Sequence, residues 1–412
     1  MVSYFISKHI KIEKTTEFRH ALVVVALIWL IAALLSAIPF VFVLKMNFLD
    51  SFFEAMSAWT TTGLTVINNV EAVPFTLLFW RSFMQWVGGI GIVVAVLGGV
   101  FKLGSSMFFA EAREEKIKPN VINTIRTILW IYLFYTSFGF VLLVIFGMPV
   151  FDSINHVMTA ISTGGMSVKN SSISYYNNIY IEMVLMFIML CGSISFLSHF
   201  NLLKGNIRYF IRDLQLRSLV ILLLIAFFVL MLFISPAREA AFQVISASSG
   251  TGFSTADLSA WNDFSKSVLI LLMVVGGCAG STAGGLKLIR VITLFKSAYW
   301  NLRMLMTPGV VINKKIGDKI LKNQDIRVTL IFILLYIMFL LLGSFVFMGL
   351  GFSGTNSFFE VASAQGNVGL STGITSASLH YLGKIMLIIN MWVGRLEIWA
   401  IFIMISSIFI RR

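Results

Sequence analysis

The chain has 412 residues, 58% of them hydrophobic and only 12% charged. That much apolar surface cannot be hidden in a water-soluble core, so an ordinary soluble protein is excluded and a bilayer is the expected solvent. The formal net charge is +13, yet 24 of the 31 lysines and arginines sit before residue 20, in 102–126, 204–217 and 287–327, and at Arg411 and Arg412. This is the positive-inside asymmetry of a multi-pass cell-membrane protein with both termini in the cytoplasm. It makes anionic membrane lipid the partner of the basic loops and argues against nucleic acid.

Residues 1–20 are polar and basic, with no apolar core of signal-peptide type, and read as a cytoplasmic leader. The run 21–44, "ALVVVALIWLIAALLSAIPFVFVL", is uncharged and long enough to cross about 30 Å of hydrocarbon. A shorter, polar-flecked piece follows, then a second apolar run at 75–100. The same succession recurs with runs at 123–147 and 178–203, at 218–235 and 266–300 (the latter interrupted), and at 327–350 and 383–410. Four units result: repeat 1 over 21–102, repeat 2 over 123–203, repeat 3 over 218–300 and repeat 4 over 327–412. Eight crossings return each unit to its starting side, so the basic loops fall between units.

The middle of each unit is written in one register. "SAWTTTGLT" (57–65), "TAISTGGMS" (159–167), "SASSGTGFS" (246–254) and "SAQGNVGLS" (363–371) align without gaps on Gly63, Gly165, Gly252 and Gly369. Thirteen positions upstream stand Asp50, Asp152, Glu239 and Asn356, which suit a helix N-cap or first turn. Nine positions upstream stand Glu54, His156, Gln243 and Glu360, read as hydrogen-bonding the backbone behind the glycine segment. Each unit therefore holds a helix of about ten residues, too short to span, that ends in a Gly-containing extended stretch. Non-helical backbone at membrane depth is tolerated only inside protein or along a watery cavity. The expected fold is all-α, with four parallel membrane–pore-helix–membrane repeats around a pseudo-fourfold central pore. Four helix C-termini, negative dipole ends, would face that axis and favour a cation, and inward carbonyls would replace its hydration shell. Packing of small residues between helices explains one such segment as well, but not four in register.

Two further features belong to the second runs. "GGCAGSTAGGLK", 276–287, puts five glycines into what would otherwise be a helix, each costing about 1 kcal/mol relative to Ala. It reads as an unwound loop in preference to a GxxxG packing face built on Gly276, Gly280 and Gly284. "WVGRLEIW" places Gly394 in register with Gly88, Gly192 and Gly276, and Arg395 opposite Gly89, Ser193 and Gly277. A charge in a span faces a bundle interior or water; Glu397 cannot share its helical face well, and Lys287 or Arg290 stand as candidate partners. Asp257 and Asp263 lie near the expected outer mouth, where a solvated loop is the simpler reading than cation enrichment. Cys191 and Cys278 read as inert buried thiols, without zinc spacing. "GLGFSG", 349–354, fits GxGxxG but has no βαβ unit around it, so no nucleotide is bound by this chain.

As a set, "TTTGLT", "STGGMS", "SGTGFSTAD" and "GNVGLSTG" resemble the TrkH/KtrB superfamily of potassium transporters, which includes the plant HKT proteins. The resemblance covers the chain from about residue 20 and implies potassium uptake, not enzymatic chemistry. It implies a selectivity filter made of Thr60, Thr61, Thr62, Gly63, Ser162, Thr163, Gly164, Gly165, Ser249, Gly250, Thr251, Gly252, Gly366, Asn367, Val368 and Gly369. It implies a gate of Gly276, Gly277, Gly280, Ser281, Thr282, Gly284, Gly285, Lys287 and Arg395, with Arg395 as an electrostatic barrier in the ion path. In the plant relatives serine at the first filter position goes with sodium selectivity, so Gly63 favours K+, while Na+ stays a second candidate ion. The short leader resembles the KtrB branch. The resemblance further implies a homodimer and a cytosolic RCK-type nucleotide-binding regulatory subunit. The rival readings are a sodium- or proton-coupled carrier using alternating access and a non-transporting membrane scaffold.

Overall fold

The computed structural model describes residues 18–97, 121–234, 236–307, 312–317, 319–396 and 398–409. Among the described residues, sixteen α-helices carry the fold. Repeat 1 has α1 (Phe18–Leu44), α2 (Phe48–Trp59) and α3 (Phe75–Leu97); repeat 2 has α4 (Val121–Ile145), α5 (Val150–Ile161), α6 (Ile179–Ser193) and α7 (Phe196–Leu203). After the linking α8 (Ile207–Arg212), repeat 3 has α9 (Leu214–Met231), α10 (Ala237–Ser249), α11 (Asp263–Val275) and α12 (Leu288–Met306). A two-residue hairpin, β1 (Lys315–Ile316) with β2 (Lys319–Ile320), leads into repeat 4: α13 (Asn323–Gly349), α14 (Gly354–Gln365), α15 (Tyr381–Leu396) and α16 (Ile398–Phe409). The GLGFSG stretch merely ends α13 and enters α14.

The first helix of each repeat is apolar all round, and Leu35, Phe42, Ile225, Phe228, Leu342 and Phe345 stay exposed on these helices. Such surfaces are stable in lipid, where a helix satisfies its own backbone. Residues Val23–Leu44, Ile122–Ile145, Leu214–Met231 and Asn323–Gly349 are each long and apolar enough to cross a membrane. The short helices between them are the opposite: α2, α5, α10 and α14 bury nearly every residue of their second halves.

The sequence leads one to expect a break only in the second helix of repeat 3. Among the described residues, breaks occur in three repeats at one aligned place. α6 turns through 107° into α7, and α15 turns through 106° into α16. In repeat 3 the whole stretch 276–287 is non-helical between α11 and α12. A glycine stands at this register in all three, Gly192, Gly276 and Gly394, and weakens the helix without by itself deciding the break, since α3 runs unbroken through Gly88. Ser195 then caps the new helix α7 by accepting from the Leu197 N–H at 3.3 Å.

The repeats are joined head to tail at the starts of the short helices. Lys384 of repeat 4 donates to Asp50 of repeat 1 at 2.6 Å. Lys266 of repeat 3 donates to Asn356 of repeat 4 at 3.1 Å, and Arg238 of repeat 3 makes two 2.6 Å bonds to Glu182 of repeat 2. Between repeats 1 and 2 the joint is aromatic: Phe75 and Phe151 meet edge-on with centroids 4.7 Å apart. Asp50 and Asp152 are first-turn residues and not N-caps; the caps are Asn47 and Pro149. One turn inside the helix, each carboxylate complements the dipole; Asp50 also reaches across to repeat 4, whereas Asp152 accepts from Tyr176 of its own repeat at 2.6 Å.

Candidate functional site

The four glycine segments form a closed ring. A Cβ added to Gly63 would lie 2.2 Å from the Gly164 carbonyl oxygen, and one on Gly165 would lie 1.9 Å from that of Thr251. One on Gly252 would lie 1.8 Å from the Val368 oxygen, and one on Gly369 would lie 2.1 Å from the Thr62 oxygen, which returns the circuit to its start. No side chain fits at any of the four positions. All four glycines also have left-handed φ, at 93°, 67°, 83° and 97°, so glycine is required twice over.

The residue two places earlier is left-handed as well: Thr61 at φ 52°, Thr163 at 54°, Gly250 at 76° and Asn367 at 52°. Alternating hands turn successive carbonyls to one side of the strand, a conformation that costs a non-glycine residue about 1–3 kcal/mol. Composition gave no sign of this, because threonine normally avoids positive φ. The strain is held by a bond repeated four times. The N–H before each ring glycine donates back into the last turn of its helix: Thr62 to Ser57 O at 2.9 Å, Gly164 to Thr159 O at 2.8 Å, Thr251 to Ser246 O at 3.0 Å and Val368 to Ser363 O at 2.9 Å. This is the six-to-one closure of a Schellman turn. The C-terminal ends of α2, α5, α10 and α14 therefore converge on the ring and bring their negative dipole ends with them.

Behind the ring, the polar residues nine places upstream all reach the hydroxyl two places downstream. Glu54 accepts from Thr65 Oγ1 at 2.5 Å and from the Val66 N–H at 2.6 Å. His156 Nε2 meets Ser167 Oγ at 2.9 Å, and Gln243 Nε2 donates to Ser254 Oγ at 3.0 Å. Glu360 accepts from Ser371 Oγ at 2.6 Å and from the Thr372 N–H at 2.7 Å. Glu54 differs from Glu360 in having an ion partner, Arg81 of α3, whose Nε lies 3.3 Å away with both side chains buried. Nothing in the repeat pattern announces Arg81; the signal was a lone arginine in an apolar run.

Gly88, Gly192 and Gly394 let the second helices press against the last residue of each short helix: an added Cβ would lie 2.2 Å from Trp59 O, 2.7 Å from Ile161 O and 1.9 Å from Gln365 O. In repeat 3 the corresponding Gly276 packs instead on the 276–287 loop, 2.2 Å from Gly284 O. That loop is docked on every side. Cys278 N–H donates to Ser193 O at 2.9 Å, Thr282 N–H to Gly192 O at 3.1 Å, and the Phe196 N–H to Gly280 O at 3.0 Å. Thr282 Oγ1 lies 2.9 Å from Ile161 O and 2.8 Å from Gly192 O. Ser281 Oγ donates to Cys278 O, and Lys287 Nζ to Ala283 O. A Cβ on Gly284 would lie 2.1 Å from Gly366 O, so the loop abuts the ring segment of repeat 4. Gly277 and Gly285 are equally confined, with added Cβ atoms under 3.0 Å from Ala283 and Gly276 respectively.

Arg395 is buried and joins three repeats. Its Nη1 donates to Thr282 O at 2.8 Å, and its Nη2 to Gly88 O at 3.0 Å and Gly89 O at 3.4 Å. These carbonyls stand where the sequence offered Lys287 or Arg290; the Arg290 guanidinium lies over the Phe332 ring, 4.0 Å from its centroid. Glu397 lies outside the described residues. At the ring's other side, Asp257 caps a short turn and takes the Ser259 N–H at 2.9 Å; its carboxyl is held below the ordinary value by Ser259. Cys191 and Cys278 are buried and are not joined in a disulfide.

Comparison with known proteins agrees with this geometry. The family model described as "TrkH: Cation transport protein" matches residues 2–235 and 234–409. The chain is 37% identical to an uncharacterized cation transporter of Methanocaldococcus jannaschii, over 99% of this chain and 86% of that protein. It is 30% identical to the Trk system potassium uptake protein TrkH of Salmonella typhimurium, over 95% of this chain and 86% of that one. The crystal structure of the potassium transporter TrkH from Vibrio parahaemolyticus superposes with a TM-score of 0.86 at 29% identity, covering 97% of this chain and 87% of that chain. With its apolar helices, its ring of four repeats and these relatives, the chain belongs to the TrkH family of membrane cation transport proteins.

Proposed function

We propose that this protein takes potassium into the cell through the ring, down the ion's electrochemical gradient and without covalent chemistry. The observation that carries the reading is ring closure: four glycine segments in contact, each at the negative end of a short helix. Carbonyls fixed in advance offset the loss of an ion's hydration shell without reorganising. Potassium is favoured over sodium because all four ring positions are glycine and because relatives include potassium uptake proteins. The 276–287 loop and Arg395 act as the gate under this filter, the loop as a plug and the guanidinium as a like charge facing the cation. The head-to-tail ring of parallel repeats disfavours alternating access between inverted halves. A homodimer with a cytosolic RCK-type subunit, and cytoplasmic termini in the cell membrane, complete the proposal. The basic segments support that orientation.

The decisive experiment is growth of a potassium-uptake-deficient bacterium at limiting potassium. The protein is expected to restore growth, and failure of a correctly inserted protein refutes uptake. Gly63→Ser and Gly252→Ser are each expected to lower the preference for potassium over sodium. Unchanged preference in both overturns the filter assignment.

A further inference from the structure

The ring is fourfold in outline, but segment two departs from the pattern. Three places before the aligned Gly88, Gly192, Gly276 and Gly394 stand Gln85, Met189, Met273 and Met391: one amide against three thioethers. Gln85 is wholly buried. Its Nε2 donates to Gly164 O at 2.7 Å, and its Oε1 accepts from the Met166 N–H at 3.0 Å. A carbonyl can only accept and an N–H only donate, so these two partners fix the amide's orientation. The side chain thus straddles the ring glycine Gly165, holding the carbonyl before it and the N–H after it.

Segment two has a matching exception. The residue before the ring glycine is Thr62, Thr251 or Val368 in the other segments and Gly164 here. A Cβ at Gly164 would lie 2.4 Å from Gln85 Cδ. The glutamine amide therefore fills the place where each other segment keeps its own side chain. Among the described residues, the carbonyls of Thr62, Thr251 and Val368 accept no hydrogen bond.

We propose that Gln85 is a positioning residue for ion selectivity, acting as the missing side chain of segment two. It fixes the Gly164 carbonyl at the ring, and its N–H draws charge from that oxygen, so one ligand of the four binds a cation more weakly than the others. A methionine at the same place has no donor and adapts its shape freely, so it leaves the register of its segment to the segment itself.

The inference rests on reading the ring as an ion filter, and the test separates the two. Potassium uptake into proteoliposomes is measured with and without competing sodium, for the wild type beside Gln85→Met, the residue the other three repeats use. A wild type with no potassium preference overturns the filter reading itself. With that preference present, Gln85→Met is expected to lower it about three- to tenfold, the worth of one lost hydrogen bond. The maximal rate is expected to change less. Unchanged preference overturns the role of Gln85. Gln85→Leu, which also lacks a donor, carries the same expectation if the methionine variant fails to insert. A second arm uses steric complementarity. Gly164→Ala alone is expected to lose uptake because its Cβ meets the amide, and Gln85→Ala with Gly164→Ala is expected to regain uptake, without the wild-type preference because the donor is gone. A double variant no better than the single one overturns the proposal.

Discussion

Glu54 and Glu360 occupy the same place in repeats 1 and 4 and make the same bonds to the strand behind the ring, but they are not equivalent. Glu54 neutralises buried Arg81, whereas Glu360 spreads its charge over Ser371, Thr372 and Thr375. Glu54→Gln leaves a buried guanidinium without its counter-ion and is expected to cost about 3–5 kcal/mol. Glu360→Gln exchanges one acceptor in a hydroxyl-rich cage and is expected to cost about 1 kcal/mol. Thermal denaturation of the purified variants checks the difference, and equal losses would contradict the ion pair's role. The buried Arg395 guanidinium, in its proposed gate role, acts on the passing cation as a like charge. A like charge about 4 Å from a cation is worth ~4 kcal/mol at an effective dielectric of about 20. If only about 1 kcal/mol of that acts on the passing ion, Arg395→Ala raises flux about fivefold. A flux assay in proteoliposomes reads this directly, and lower flux at normal insertion would remove the barrier role. The ring glycines were legible in the sequence because glycine is the one residue that fits there. The left-handed Thr61, Thr163 and Asn367 were not, since their strain is imposed by neighbours and is not a preference of the residues themselves.

At the scale of elements, the short helices and the first helices were readable from their apolar length and their caps. The bends in α6–α7 and α15–α16 were not: one glycine costs a helix only about 1 kcal/mol, and tertiary partners decide whether it bends. For α6 the partner is the 276–287 loop, whose N–H groups donate to the buried Gly192 and Ser193 carbonyls at the helix end. Loop and bend thus hold each other. Thr282 is the point of contact, offering one hydroxyl to Ile161 O and Gly192 O while its own carbonyl binds Arg395. Thr282→Val keeps the shape and removes about 1 kcal/mol of bonding. If the loop bars the ion path, this variant conducts about fivefold more than the wild type in the same flux assay. Lower or equal flux would mean the loop is not the barrier.

Over the whole molecule, the ring depends on four joints that differ in chemistry, and sequence alone could not pair them because their members lie far apart along the chain. The joint between the last repeat and the first is the buried Lys384–Asp50 pair, 334 residues apart. Removing one partner strands a buried charge, so Lys384→Met is expected to lose about 3–5 kcal/mol. Adding Asp50→Asn is expected to return part of that loss, the signature of direct coupling. Independent, additive losses in a double-mutant cycle would show that the two ends are held together by something else.

That same joint orders events during synthesis. Repeat 1 leaves the ribosome first, but its Thr62 and Gly63 meet their second neighbours, Asn367 and Gly369, only after repeat 4 has been made. An unfinished chain in the bilayer therefore has a gap in its circle of carbonyls, with Arg395 not yet translated. The circle cannot close by halves, and Arg395, the proposed barrier, arrives just after the residues that complete it.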